Sequence, residues 1–340
     1  MGTTTEHLGE LPRGHYGFIG KRTNIRSHKF ILIGAFLGLG VMGYPMAQNL
    51  RKALPSSSTL VISELVQTQV NKFLLETSQF GPIKVASSPK EVAENADFIV
   101  TMLPKGPHVL EVFTNPANGL LSVPPSGSPK FFLDCSTIDT ATSLMIGKEV
   151  EISELGRFTD APVSGGPNGA YAATLTFMVG GTPDDFRLVY PVVATMGKED
   201  SIFHCGPLGA GLATKQINNY LSAVSIIGVC EAMNMGVRYG LDPKTLAGVI
   251  NISSGKCYNS LDQNPVKGVT PTAAASKDFE GGFSMELCKG VVEMAVQLGK
   301  DVGAKNILSD LVIKTYEEAS QDERCKGKDC RSIYRFISEQ

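Results

Sequence analysis

The stretch FILIGAFLGLGVMGYPMAQNL, residues 30–50, places a strand-length apolar run, 30–36, before a glycine-spaced turn and an amphipathic continuation. The turn reads Gly38-Leu39-Gly40-Val41-Met42-Gly43, a GxGxxG pattern at a strand-to-helix junction. Glycines at that spacing permit a tight turn and a close backbone approach, so that amide N–H groups and the positive helix end face a pyrophosphate. In a chain of 36 glycines the same pattern also occurs in plain tight turns, and its surroundings decide between the two. A second apolar run, 60–63, ends at Glu64, twenty-one positions after Gly43. A carboxylate there accepts both ribose hydroxyls of NAD and repels the 2′-phosphate of NADP; the other reading is a solvated strand end. No arginine follows it closely, so NAD is the expected cofactor.

Working outward, further strand-length runs at 98–103, 130–134, 158–161 and 176–180 are separated by helix-length intervals. That alternation predicts βαβ units and a mainly parallel sheet. Helical periodicity takes over at 216–239, 245–250, 287–302 and 307–320. Between these, the segment 257–282 is rich in Asn, Pro, Gly and Ser and is expected to be a loop crossing the surface. The predicted fold class is an α/β Rossmann N-terminal domain, 30–204, followed by an all-α C-terminal domain, 205–340, with 1–29 as an N-terminal extension or a mis-translated segment.

Composition agrees with two folded domains: 340 residues exceed what one core usually organises, and 42% are hydrophobic. A formal net charge of -2, with 19% charged residues, offers no footprint for nucleic acid or an anionic membrane. The apolar stretch 30–43 is too short and too glycine-rich to span a bilayer, and no membrane segment is expected. Seven scattered cysteines lack ligand-like spacing and read as reduced thiols; no metal site is predicted. The first fourteen residues hold two glutamates and one arginine, the wrong balance for a transit peptide, and lack a secretory apolar core.

Two segments carry the residue types that chemistry needs. In Asp160-Ala161-Pro162-Val163-Ser164-Gly165-Gly166 a strand breaks into a hydroxyl and consecutive amides, an anion-binding nest for a small carboxylate. In Gly209-Ala210-Gly211-Leu212-Ala213-Thr214-Lys215-Gln216-Ile217-Asn218-Asn219, a lysine sits on an apolar helix, and Lys215 and Asn219 share one face. A lysine shielded from water has a lowered pKa and, when neutral, takes a proton from an alcohol as hydride leaves the carbon. The ordinary alternative is a surface lysine, and the apolar neighbours Leu212, Ala213, Ile217 and Leu221 speak against it. Leu103, Pro104 and Thr137 fall at predicted carboxyl ends of strands, where they either line the nicotinamide ribose side or simply turn the chain.

From about residue 36 to the C-terminus the chain resembles the β-hydroxyacid dehydrogenase family. The likeness is carried by GLGVMGYPMAQNL at 38–50, MLP at 102–104, DCSTID at 134–139, DAPVSGG at 160–166, LTFMVGG at 175–181 and the Lys215 helix. The segment INISSGKCYNSLDQNPVKGV, 250–269, is similar to the branch that acts on hydroxyisobutyrate rather than to the tartronate semialdehyde reductases. The resemblance implies reversible oxidation of 3-hydroxyisobutyrate to methylmalonate semialdehyde with NAD, Lys215 as the acid/base, and Ser164, Gly165, Gly166 and Asn219 holding the substrate. It further implies a homodimer or homotetramer and, for eukaryotic members, a mitochondrial setting, with the cytoplasm as the alternative. Other open readings are a reductase of succinic or tartronic semialdehyde, and a silent NAD-binding scaffold.

The chain departs from the family pattern in two places. The family's Lys-Asp pair after the Gly-Gly-Phe turn, with its lysine near the nicotinamide, falls in register on Gly290-Val291, and Lys289 lies one position early, about 100° of helix rotation. The second is Tyr16-Gly17-Phe18-Ile19-Gly20, which starts the expected first strand and then stops. Removing residues 21–38 would give the uninterrupted YGFIGLGVMGYPMA, either because an in-frame intron is translated or because the chain has a genuine extension with 30–36 as its own first strand.

Overall fold

The computed structural model describes residues 33–125 and 129–339 of the chain. The segment 1–29 and the first three residues of the run 30–36 lie outside the described residues.

The first half alternates strands and helices: β1 (Ile33–Leu37), α1 (Gly43–Ala53), β2 (Thr59–Ser63), α2 (Gln67–Thr77), β3 (Ile83–Val85), α3 (Pro89–Asn95), β4 (Phe98–Thr101), α4 (Gly106–Thr114), β5 (Lys130–Asp134), α5 (Thr140–Ile152) and β6 (Gly156–Asp160). It continues through β7 (Val163–Ser164), α6 (Gly166–Ala172), β8 (Leu175–Gly180), α7 (Pro183–Val193) and β9 (Gly197–Gly206). The sheet order is β3-β2-β1-β4-β5-β6-β8-β7, with β9 on β8, and β1 through β6 pair in parallel. β3, β7 and β9 were not predicted, because β3 and β7, of 3 and 2 residues, are too short to show a period, and the 10 residues of β9 are of mixed polarity.

Strand order reverses between β1 and β4, the place where an open α/β sheet opens a crevice at its carboxyl edge. Alternating residues feed two cores. Phe36, Ile62, Val100 and Leu133 pack with α1 on one face, and Leu37, Val61, Ile99 and Phe132 pack under α4 and α5 on the other. Fully burying each such side chain contributes about 1.5–3 kcal/mol, which makes these alternating strands the stable frame behind the crevice.

The second half is helical: α8 (Ala210–Tyr239), α9 (Pro243–Ile252), α10 (Tyr258–Leu261), α11 (Met285–Asp301), α12 (Ser309–Gln321) and α13 (Ile333–Ser338). Ala223, Ile226, Cys230 and Met233 of α8 form its core with Met285, Val292, Val312, Tyr316 and Ile333. The segment 257–282 does not simply cross the surface: it holds α10 and a 3-10 turn at Ala274–Lys277, and Asn259, Asn264, Ala275 and Phe279 are buried. Its polar residues are stitched inward, with Asn259 Nδ2 donating to Ser225 Oγ at 2.7 Å and accepting at Oδ1 from Arg331 Nε at 3.1 Å. Composition marks such a segment as polar but cannot show that its polar groups find buried partners.

By length and composition α8 is long and apolar enough to cross a membrane, a property missed by a search for the longest uninterrupted apolar stretch. The central helix of a folded domain has the same composition, and α11, α13 and β8 all pack against α8. All seven cysteines are free thiols.

Candidate active site

The glycine loop is fixed by crowding at both ends and open in the middle. Gly38 has φ +92°, and a Cβ there would lie 2.3 Å from the Met102 carbonyl oxygen; one at Gly43 would lie 1.9 Å from that of Gly38. A Cβ on Gly40 would meet nothing within 4 Å, so the loop surface between the two glycines is free for a ligand. Val41 is exposed, Met42 is half-buried, and Leu39 points its side chain into the core, leaving only its backbone to the loop. Glu64 is bound to the loop itself: Oε2 accepts from the Leu39 amide at 2.6 Å, and Oε1 accepts from the Val66 amide at 2.9 Å. The acid is thereby held at the carboxyl edge of β2 beside the phosphate turn.

The ends of β4 and β5 are joined by a buried polar knot. Asp134 Oδ1 accepts from Thr101 Oγ1 at 2.7 Å and from Ser136 Oγ at 2.6 Å, and that Ser136 oxygen accepts from the Leu103 amide at 2.8 Å. Burial pushes the Asp134 carboxyl up to about 6. The knot sets the turn bearing Leu103 and exposed Pro104 next to Thr137, and the Cβ position of Gly38 is 3.3 Å from Leu103 Cδ2.

Ser164 pairs with Thr176 across β7 and β8, and the chain then passes through Gly165 (φ +132°) and Gly166 (φ +63°), conformations that favour glycine. The helix that follows is tied to the glycine-loop helix by Asn49 Nδ2 donating to the Ala170 carbonyl at 2.7 Å. The proposed carboxylate turn and the phosphate turn therefore share one scaffold.

Lys215 lies in the second turn of α8, half-buried, and burial alone lowers its ammonium to about 8. Asn219 follows one turn later on the same face. Of the apolar neighbours that pointed to a dry environment, Leu212 is buried, but Ile217 and Leu221 are 63% and 68% exposed. They lie on the far side of the helix, because residues two and six positions on from Lys215 fall on other faces. Two residues not singled out in the sequence fasten the helix segment that carries Lys215. Asp160 Oδ1 accepts from the Gly209 amide at 2.8 Å, and its Oδ2 accepts from the Leu212 amide at 2.7 Å. Gln216, buried, donates from Nε2 to the Ile138 carbonyl at 3.1 Å. Asp160 stood inside a quoted motif, but a contact across 49 residues leaves no local signal.

A cavity of about 350 Å³ opens beside Gln216, between Asp139 and Thr140 at the start of α5 and Glu293 and Gln297 of α11. The Ser164–Gly166 turn does not line it. Lys289, in the second turn of α11, sits 3.8 Å from Glu293 Oε1 and 3.9 Å from Glu317 Oε1. Among the described residues no hydrogen bond or ion pair joins Lys289 to the glycine loop.

A parallel sheet with its switch point under a glycine turn, an acid at the end of β2 and a half-buried lysine on the helix that leaves the sheet define a two-domain, nicotinamide-dependent dehydrogenase. The chain matches the NAD binding domain of 6-phosphogluconate dehydrogenase over residues 34–206, and the family described as NAD-binding of NADP-dependent 3-hydroxyisobutyrate dehydrogenase over 209–337. It is 39% identical over 306 residues to the mitochondrial 3-hydroxyisobutyrate dehydrogenase of Homo sapiens, covering 90% of this chain and 86% of that protein. The Drosophila melanogaster enzyme of the same name is 38% identical, with 90% and 89% covered. The solved Mycobacterium tuberculosis 3-hydroxyisobutyrate dehydrogenase with L-serine superposes with a TM-score of 0.78 at 34% identity, over 90% of this chain and 98% of that one. The chain belongs to the 3-hydroxyisobutyrate dehydrogenase family.

Proposed function

We propose that the chain catalyses the reversible NAD-dependent oxidation of 3-hydroxyisobutyrate to methylmalonate semialdehyde, a step of valine catabolism. The observation that carries this reading is Lys215: an amine whose ammonium burial alone lowers to about 8, at the junction of the sheet and the helical half. The residues present fit the dinucleotide, because Gly38 and Gly43 leave no room for side chains while the space over Gly40 is open. When bound, NAD supplies the acceptor for the substrate's hydride. The Gly38 and Leu39 amides are held by the Ser63 carbonyl and by Glu64, so the amides of Gly40, Val41, Met42 and Gly43 would bind its phosphates, Glu64 would accept the adenosine ribose hydroxyls, and Leu103, Pro104 and Thr137 would bound the nicotinamide side. The amides of Gly165 and Gly166, the Ser164 hydroxyl and Asn219 orient the substrate carboxylate and alcohol. Neutral Lys215 takes the hydroxyl proton in oxidation, and its ammonium returns one in reduction.

Lys289 of α11 belongs to this proposal as a cofactor contact, which requires its pairing with Glu293 and Glu317 to give way. A mitochondrial location is supported by the names of the relatives. A homodimer or homotetramer is supported by the apolar residues that α8 leaves exposed, Ile217, Leu221, Met235 and Tyr239, and light scattering on the purified chain would measure it. The test of the activity is NAD reduction with a panel of three- and four-carbon hydroxy acids, for the wild type and Lys215→Ala. Turnover highest on 3-hydroxyisobutyrate and lost in Lys215→Ala is the expected result; equal rates in the two proteins refute the assignment.

A further inference from the structure

We infer that Asp160 is a positioning residue: its carboxylate holds the first turn of α8 and, together with Gln216, sets where the Lys215 amine stands relative to the strand ends. The inference rests on the reading of Lys215 as the acid/base.

Helix α8 begins without a cap of its own, because the residue at its N-cap is Gly209, in a left-handed conformation and with no side chain to offer. The amides that would otherwise be orphaned there are taken by a side chain from another element. Asp160, at the end of β6, accepts from Gly209 with one oxygen and from Leu212 with the other. The arrangement is built rather than incidental. A Cβ on Gly180 would lie 2.2 Å from Asp160 Oδ1, and one on Gly211 would lie 2.8 Å from Oδ2 and 2.1 Å from the Met178 carbonyl oxygen. Glycine at both positions is what lets β8, the helix start and the carboxylate occupy the same space. The negative charge also meets the positive end of a thirty-residue helix, which compensates part of the cost of burying it.

Lys215 stands three residues beyond Leu212 and one before Gln216, about 4.5 Å of helix from the first anchor at 1.5 Å per residue. The first two turns therefore carry both anchors and the reactive amine, and the anchors reach two different strand ends, Asp160 of β6 and Ile138 after β5. Any shift of the helix start is passed directly to the amine. Displacement of a reacting group by about 1 Å lowers turnover on the order of 100-fold.

The test uses the full chain with 3-hydroxyisobutyrate and NAD. Asp160→Asn keeps the volume but turns an N–H donor toward one of the two amides. It is expected to lower kcat about 10- to 100-fold with KM for NAD unchanged, and to move the pH inflection of kcat upward as water reaches the amine. The same substitution is then made in Lys215→Ala supplied with methylamine as a diffusible base. If Asp160 acts through Lys215, it costs no further turnover there; an equal loss in both backgrounds overturns the proposal. Should Asp160→Asn not fold, Gln216→Met is read by the same pair of backgrounds: loss of kcat confined to the Lys215 protein supports it, and no loss or equal loss overturns it. Lys215→Ala at the wild-type rate without amine would instead refute the acid/base reading itself.

Discussion

At the scale of single residues the chemistry depends on protonation and on where one carboxylate ends up. With Lys215 as the proposed acid/base, oxidation would need it neutral, so kcat in that direction is expected to rise with pH and level off above about 8, while semialdehyde reduction falls over the same range. The folded value lies below the ordinary lysine value of 10.5, so the buried ammonium weakens the fold fully below about pH 8, and the penalty fades as pH rises toward 10.5. Lys215→Met should accordingly melt higher than wild type at pH 7, with the gap closing in alkaline buffer, as calorimetry across pH would show. Glu64 makes a second expectation. Removing its charge in Glu64→Ala should raise KM for NAD about tenfold, the worth of one hydrogen bond to a charged group, and narrow the preference over NADP in steady-state kinetics. Both residues were legible because each stands directly behind a local pattern. Asp160 and Gln216 were not, since their roles exist only once β6, the loop after β5 and α8 have met.

Among the elements, those with a clear period were read with small errors: β5 fell at Lys130–Asp134 as expected, and α11 starts two residues before its expected first position because Ser284 caps it, accepting from the Leu287 amide at 3.2 Å. What stayed hidden is how α1 ends. Arg51, fully buried, donates to the carbonyls of Ser58 at 2.6 Å, Leu54 at 3.2 Å, Pro55 at 2.7 Å and Pro82 at 3.3 Å, closing the helix and joining it to the approaches of β2 and β3. In the sequence it is one more basic residue in a last turn. Arg51→Met fills much of the volume but strands those acceptors, and chemical denaturation should register a loss of roughly 2–4 kcal/mol with the glycine loop's chemistry unaltered.

For the whole molecule, the order of an α/β half and a helical half was readable because strand-length runs recur among helix-length intervals up to residue 180, and helical periodicity alone follows from 216. The inward stitching of 257–282 was not, because partners for buried amides are set by tertiary contact. The doubled beginning of the first strand makes its own prediction. A chain lacking residues 21–38 should place YGFIG where β1 now stands and bind NAD at least as tightly, with a higher melting temperature because two segments no longer compete for one strand position. Sequencing the mature transcript decides which form the cell makes; a message that encodes 21–38 refutes the intron reading.

The unbroken course of α8 has a mechanical corollary. No proline interrupts Ala210–Tyr239, its opening turn is fastened to the sheet, and its later turns form the other core. The two halves therefore cannot part by bending that rod without sacrificing several of its backbone hydrogen bonds. Under the proposed function, Lys215 would travel with the nucleotide-binding half through every turnover, and any opening for substrate would fall to pieces hung on the rod later in the chain, such as α11.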